Sequence, residues 1–269
     1  MIGGEFVKAY DFEYNGRSLS EFGFIICNFG SKGIETVGIP NITFNTVSTM
    51  NGEKHELTSS EYGDCLTTTF QICKNLCSAE NEEISIDELR EIIRWLNRKE
   101  FHKFKILNED YLLFYFEATF NVSKIEMDGK LFGLELEVIT NRPHALYEPV
   151  SITIKNLQNN GTKRIASMSD EEGYIYPEME IFIDEDGDFE LYNSLEERTM
   201  YIANCQAGEV IRVHYPIIES SLSEHKIQND FNWKFFRIAN TFENNANDVT
   251  ISIPCTIKIK YSPIVKVGI

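Results

Sequence analysis

Short segments in which apolar and polar residues alternate dominate the first half of the chain. They are rich in β-branched and aromatic residues and have a period of about two, which is typical of half-buried strands. They are Phe6–Tyr14, Phe22–Asn28, Leu66–Cys73, Phe104–Leu107, Tyr111–Phe120, Val122–Met127 and Lys130–Ile139. Asn108–Asp110 and Met127–Lys130 are predicted hairpin turns, and Asp128-Gly129 suits the positive φ angles of a type I′ turn. The pattern predicts antiparallel β structure.

One segment, from about Ile86 to Asn97, has helical spacing instead. The apolar residues expected on one face are Ile86, Leu89, Ile93 and Leu96. Ser85 and Glu88 form an S-x-x-E capping box, and Ile84 before it can pack on the first turn as a hydrophobic staple. Trp95 lies in this helix and is expected in the core, with an interface position as the alternative.

The second half is predicted to be β throughout, without a helix. Its strand-like segments are Val150–Lys155, Tyr174–Ile183, Asp188–Tyr192, Thr199–Ala203, Glu209–His214, Asn232–Ile238, Asp248–Ile253 and Thr256–Tyr261. Pro143 and Pro149 break regular pairing between the two strand-rich blocks. We therefore predict a mainly β protein with one α-helix, divided into domains 1–142 and 143–269. Residues 257–269 can finish the second domain or return to the first.

Composition and charge narrow the class of protein. The chain has 269 residues, 42% of them hydrophobic, which suits two globular domains. The sequence has no apolar run of the roughly 18 to 20 residues that a membrane helix needs, and no signal sequence is recognised. We expect folding in the cytoplasm and no membrane partner. The net charge of −17 is spread over both halves without a basic face, which argues against specific nucleic-acid binding.

The cysteines and the acidic residues are the candidates for metal binding. The six cysteines could form three disulfides, but reduced thiols are expected: Cys27, Cys65, Cys73, Cys77, Cys205 and Cys255. Cys73 and Cys77 have CxxxC spacing and Cys65 is nearby, but the further ligands that a zinc site needs are missing. Asp184–Asp188 has the carboxylate spacing of a calcium loop, but Leu195 stands where the bidentate carboxylate should be. An acidic hairpin turn is therefore predicted, and no metal or cofactor.

No residues suggest catalysis. The histidines lie in no recognised catalytic signature: His55, His102, His144, His214 and His225. The sequence lacks dinucleotide, nucleotide-triphosphate and zincin motifs, so the chain is predicted not to be an enzyme, and no catalytic or cofactor-binding residue is assigned. Trp233, Phe235 and Phe236 could stack on a sugar ring, although aromatics alternating in a strand more often fill a core.

The order of several short motifs is more specific. In the second half they are Gly173–Glu178 (GYIYPE), Gly187, Tyr192-Asn193, Ala207–Glu209, Asn232–Arg237 (NWKFFR) and Thr256–Tyr261 (TIKIKY). In the first half they are Phe12–Gly16 (FEYNG), Ser20–Gly23 (SEFG) and Trp95-Leu96. Together they resemble the distal tail proteins of long-tailed, non-contractile phages of Gram-positive bacteria. The resemblance implies an N-terminal ring domain and a C-terminal galectin-like β-sandwich.

The resemblance also implies a function. Distal tail proteins form a hexameric ring at the far end of the virion tail, assembled in the bacterial host cytoplasm. The ring joins the tail tube protein to the tail-associated tip protein and to receptor-binding or baseplate proteins, and DNA passes through it. A negative lumen would not retain that DNA. The galectin sugar-contact set of His, Asn and Arg is missing, so the sandwich is expected to be a docking scaffold.

Two other functions fit the residues. The first alternative is a carbohydrate-binding protein of two β domains that acts in recognition of the host cell surface. The second is a glycoside hydrolase accessory domain or a degenerate enzyme, for which glycan cleavage would be the decisive assay. Rings of about six subunits would favour the tail hub, whereas a strict monomer that binds glycans would favour the first alternative.

Overall fold

The structure is a computed structural model that describes residues 10–29, 41–49, 52, 54–77, 81–241 and 243–268. The chain divides into two compact units. Unit 1 comprises Met1–Leu146 together with Lys266–Ile269, and unit 2 comprises Tyr147–Val265. The polypeptide thus leaves unit 1, builds the whole of unit 2, and re-enters unit 1 with its last residues. Within unit 1, the Tyr111 hydroxyl donates to the Gly268 carbonyl oxygen at 3.5 Å.

The elements of the first half, in chain order, are β1 (Phe12–Tyr14), β2 (Arg17–Ser18), β3 (Phe24–Cys27), β4 (Ile42–Ser48), β5 (His55–Tyr62), β6 (Thr67–Lys74), α1 (Ile86–Leu96), β7 (His102–Ile106), β8 (Phe114–Met127), β9 (Lys130–Thr140) and β10 (Ala145–Tyr147). Two 3₁₀ turns cover Leu19–Phe22 and Glu109–Tyr111. Seven strands of unit 1 lie in the order β2-β1-β7-β8-β9-β6-β3, with antiparallel neighbours.

An aromatic cluster forms the core of unit 1. Period-two alternation places one side of each strand inward, for example Phe116, Ala118 and Phe120 of β8. Phe12 is fully buried, and its ring centroid lies 5.5 Å from that of Trp95 and 5.7 Å from that of Phe120. The Trp95 indole N–H donates to the Tyr14 carbonyl oxygen at 2.9 Å. Trp95 is therefore a core residue, as predicted.

Helix α1 begins where its capping signals predict. The Ser85 hydroxyl accepts from the Glu88 backbone N–H at 3.3 Å, and the Glu88 carboxylate accepts from the Ser85 N–H at 2.7 Å. The predicted apolar face is wrong in part. The buried residues are Leu89, Ile92, Trp95 and Leu96, whereas Ile86 is 76% exposed and Ile93 is 39% exposed. The inward face is rotated because Trp95, the largest side chain of the helix, turns toward the aromatic core.

The Asp128-Gly129 turn predicted for the first half is confirmed. Met127 pairs with Lys130, and Asp128 and Gly129 between them have φ angles of 52° and 76°. Strand β8 is one continuous strand where the sequence pattern predicts two, and Tyr111 belongs to a 3₁₀ turn that precedes it. The first predicted strand begins at Phe6, and its residues 6–9 lie outside the described residues; the rest of it contains β1.

The elements of the second half are β11 (Val150–Asn156), β12 (Gly161–Ala166), β13 (Gly173–Ile175), β14 (Glu178–Ile183), β15 (Gly187–Asn193), β16 (Arg198–Cys205), β17 (Val210–His214), β18 (Ile217–Ser220), α2 (Ile227–Asp230), β19 (Ile238–Asn240), β20 (Ala246–Ile251), β21 (Cys255–Tyr261) and β22 (Ile264–Val265). One sheet has the order β11-β21-β14-β17-β18, and a second has the order β12-β20-β15-β16. Their buried residues form a single core cluster, so unit 2 is a β-sandwich.

Three predictions for the second half are wrong. Helix α2 is a single turn in a half predicted to have no helix. The strand predicted over Asn232–Ile238 forms only at its end, where β19 begins at Ile238; Trp233 has a φ angle of +59°, which a strand does not allow. Asp184–Asp186 is a turn between strands of the two different sheets and not a hairpin. Its Asp186 carboxylate accepts from the Ala207 N–H at 2.7 Å.

The cysteines are all free thiols, as predicted, and they differ in reactivity. Burial raises the pKa of both the Cys205 and the Cys255 thiol to about 12. The thiolate is the nucleophile, so both stay protonated and unreactive at pH 8. Iodoacetamide is expected to label the exposed Cys65 and Cys77 of the folded protein and to spare Cys205 and Cys255.

Peptide mass spectrometry measures this labelling, and the urea-unfolded protein, in which all six cysteines should react, is the control. Labelling of Cys205 as fast as that of Cys65 in the folded protein would contradict the described core of unit 2.

Candidate assembly surface

Strands β4 and β5 form a hairpin that pairs with no other strand of the described chain, and we name this hairpin the arm. Seven residue pairs join its strands, from Ile42 with Tyr62 to Ser48 with His55. The register shifts after Asn45, where Thr58 is the extra residue of β5. The Thr58 hydroxyl donates to the Asn45 carbonyl oxygen at 2.8 Å and satisfies it.

The two faces of the arm differ in polarity. Paired residues of a hairpin lie on the same side, so the register assigns each side chain to a face. One face carries Ile42, Phe44, Leu57 and Tyr62 together with Thr46, Ser48, His55 and Ser60, and we call it the apolar face; the other carries Thr43, Asn45, Val47, Glu56, Ser59 and Glu61. The apolar face is uncovered, since Ile42 is 47%, Phe44 61% and Leu57 57% exposed. Tyr62 is half-buried near the imidazole of His144, at the base of the arm.

An isolated two-stranded hairpin is at best marginally stable in water, because it buries too little apolar surface. The arm has an uncovered apolar face and two strand edges whose backbone groups have no neighbouring strand among the described residues. Both features are typical of a surface that another chain covers. The arm is not among the elements predicted from the sequence. The Asn51-Gly52 pair, which follows a segment rich in β-branched residues, is the sequence signal that could have found it.

A second surface feature of unit 1 is a basic groove of about 420 Å³ beside α1. It is lined by Asn15, Arg17, Phe22, Glu91, Arg94, Trp95 and Arg98. The Arg17 guanidinium lies 4.1 Å above the Phe22 ring, which stacks on Trp95, so its position is fixed by packing. Arg17 already donates to the Glu21 carboxylate at 3.2 Å, and Arg94 and Arg98 add two further guanidinium groups whose donors suit a carboxylate.

The most catalytic-looking cluster of unit 2 is a buried structural network. The Ser220 hydroxyl and the His225 Nδ1 both contact the same Glu209 oxygen, Oε1. The side chains of His225 and Glu209 are 2% and 0% exposed, and no hydrogen bond joins serine to histidine in this network. Because the serine donates to the carboxylate and not to the imidazole, the arrangement does not activate a nucleophile. It ties β18 and the start of α2 to the turn before β17.

The residues considered from the sequence as metal ligands or sugar-stacking aromatics do not come together in one site. Among the described residues, no group of three or more His, Cys, Asp or Glu side chains is arranged to hold a metal ion. In the same part of the chain, no helix combines the length and hydropathy needed to cross a membrane. Of the aromatics considered for sugar stacking, Phe235 and Phe236 are buried in the core, whereas Trp233 is 55% exposed.

Comparison with known proteins agrees with the two units. A family model described as a phage tail protein N-terminal domain matches residues 7–142, and one described as a phage tail C-terminal domain matches residues 144–261. No curated protein matches in sequence. Among solved structures, the chain is similar to the Dit protein (gp 19.1) of phage SPP1, with a TM-score of 0.65 and 10% identity over 95% of this chain and 99% of that one.

SPP1 Dit is described as a paradigm of the hub adsorption apparatus in phages that infect Gram-positive bacteria. At 10% identity the likeness shows a shared fold. The predicted fold class, mainly β with one α-helix, is confirmed as mainly β by this likeness, and the described structure adds the single-turn helix α2. Since the two family models together cover both units, the chain belongs to the phage tail proteins.

Proposed function

We propose that this phage tail protein is the distal tail hub, a hexameric ring that joins the tail tube to the tail-tip and receptor-binding or baseplate proteins. The single observation that carries the proposal is the arm, whose apolar face is uncovered in the isolated chain. The Dit-like fold of the whole chain supports a hub in particular. Unit 1 forms the ring, and unit 2 is the peripheral sandwich on which other tail proteins dock.

A head-to-tail contact made through the arm would favour a ring over a symmetric dimer. An arm that covers a different surface on its neighbour makes a head-to-tail interface, and such interfaces close into rings when the rotation permits. Unit 1 has a separate exposed apolar surface at Leu112 and Leu113, which are 45% and 68% exposed. The basic groove offers a further contact for acidic residues of a neighbouring subunit.

The charge suits a channel for DNA. Each subunit carries a net charge of −17, so we expect a channel through six subunits to be negative. Such a surface repels phosphates and does not retain a moving nucleic acid. Neutralising the lumen carboxylates should slow DNA ejection; ejection at the unchanged rate would remove this part of the proposal.

Native mass spectrometry with negative-stain imaging of the purified protein tests the ring. We expect closed rings of six subunits, formed by the protein alone or after addition of the tail tube protein. A chain that stays monomeric in both conditions and in the presence of the tail-tip protein would contradict the proposal.

A further inference from the structure

Unit 2 carries a surface patch made of aromatic side chains from three separate segments, and we name it the aromatic patch. Its exposed members are Tyr174, Tyr215 and Trp233, which are 53%, 50% and 55% exposed. They are connected through rings beneath them. Tyr215 stacks on Tyr176 at 4.0 Å with nearly parallel planes, and Phe235 contacts both Tyr215 at 5.2 Å and Trp233 at 6.4 Å. The three exposed rings are therefore linked into one cluster through Tyr176 and the buried Phe235.

Trp233 is held at this surface in a conformation that costs energy. Its φ angle of +59° is the left-handed region, which is a true outlier for a bulky residue. The side chain of Asn232 fixes the segment on both sides: its Oδ1 accepts from the N–H groups of Lys234 at 3.0 Å and Tyr201 at 3.2 Å. Strained residues of this kind persist where the surrounding structure over-determines them, and they cluster at ligand sites.

An ion pair between an arginine and a glutamate lies beside the patch. The Arg237 guanidinium lies 3.8 Å over the Tyr174 ring and donates two hydrogen bonds to the Glu196 carboxylate. The side chains of Arg237 and Glu196 are both largely buried. The two charges of this pair cancel, so it adds no net charge beside Tyr174, which suits an uncharged ligand better than a charged partner.

The chemistry of the exposed rings narrows the ligand further. Tyrosine and tryptophan combine a flat apolar face with a hydroxyl or an indole N–H. A pyranose ring has the matching chemistry, with a face of C–H groups for stacking and hydroxyls at its edge for hydrogen bonds. Tyr215 and Trp233 are both about half exposed and both contact Phe235, so they can offer such faces within one cluster. A protein interface core would be expected to add several exposed aliphatic side chains, whereas Ile217, 55% exposed, is the one large exposed aliphatic within two positions of the three exposed rings along the chain.

We propose that the aromatic patch of unit 2 binds an uncharged saccharide, with Tyr215 and Trp233 as stacking residues. The site lies within unit 2 and does not depend on ring formation. A tail protein with this site would contact surface glycan directly, in addition to the proteins that dock on it.

Tryptophan fluorescence is a suitable measurement because the chain has two tryptophans and Trp95 is buried in unit 1. The purified full-length protein would be titrated with neutral oligosaccharides of glucose, galactose or N-acetylglucosamine. At least one should give a saturable change in emission. Tyr215→Ala should weaken that binding about ten-fold, the effect of losing one stacked ring. Trp233→Ala should weaken saccharide binding by the same factor. Because this variant lacks the fluorescent reporter, its affinity would be measured by calorimetry.

Tyr10→Ala is the matched control, because Tyr10 is 75% exposed and lies in unit 1; its affinity should be unchanged. Circular dichroism and melting temperature show whether each variant is folded. Two results would overturn the proposal: no change with any saccharide at millimolar concentration, or equal affinity in the wild type and a folded Tyr215→Ala variant. Burial of Trp233 by a tail protein in the assembled tip, measured by acrylamide quenching, would also overturn it and make the patch a protein interface.

Discussion

Replacing Phe44 and Leu57 of the arm with serine is expected to abolish ring assembly and to leave a folded monomer. Both side chains lie on the uncovered apolar face and contribute nothing to the core, since they are 61% and 57% exposed. Burying a side chain of this size against a neighbour is worth about 1.5 to 3 kcal/mol. Losing both would weaken each interface by about 3 to 6 kcal/mol, which is at least a hundred-fold in affinity.

Val47→Ser is the matched control for this prediction. Val47 is equally exposed, at 59%, and lies in the same hairpin, but the register places it on the polar face. Native mass spectrometry of the three proteins gives the subunit count. Rings from Val47→Ser but not from the double variant are expected. Intact rings from a folded double variant would exclude the arm as the assembly element.

The second large effect is expected in the core of unit 1. Phe12→Ala should lower the free energy of unfolding of unit 1 by about 3 to 5 kcal/mol, the usual cost of the cavity left by a fully buried phenylalanine. The cavity would also remove ring contacts with Phe70, Trp95 and Phe104. Neighbouring rings cannot close it, because they are fixed by their own contacts.

Urea unfolding followed by tryptophan fluorescence measures this change. In a Trp233→Phe background, Trp95 is the remaining tryptophan, so its emission reports on unit 1 alone. Tyr10→Ala in the same background should change stability by less than about 0.5 kcal/mol, because that side chain is exposed. A similar loss in both variants would show that Phe12 is not at the centre of the core.

Local signals made part of the fold predictable from sequence. The Asp128-Gly129 turn and the Ser85/Glu88 capping box are each decided by residues within a few positions, so the sequence contains the whole cause. The β-rich fold class and the buried position of Trp95 followed from residue type. The family resemblance came from the order of motifs, which no single motif could have supplied.

The arm and the aromatic patch, on which the two proposals rest, were less predictable because they depend on what lies nearby in space. The arm has few apolar residues on each strand, and they face outward, so its hydrophobic pattern is weak. Asn232–Arg237 has the aromatic content of a strand, but side-chain bonds from Asn232 impose a left-handed residue there. The aromatic patch joins segments that are far apart along the chain, and sequence spacing cannot reveal such a neighbourhood.

The return of the chain to unit 1 after Val265 makes unit 2 an insertion with two covalent attachments. A proteolytic cut after Val265 would leave unit 2 covalently joined to unit 1 at Leu146, whereas a cut after Leu146 would leave it joined only to Lys266–Ile269, which contact the rest of unit 1 noncovalently. A particle nicked after Val265 therefore keeps its sandwich by a covalent bond, and one nicked after Leu146 keeps it only through the noncovalent contacts of Lys266–Ile269. The same arrangement makes residues 147–265 the natural segment to exchange between related tail proteins, because both joints of the graft fall at the edge of one compact body.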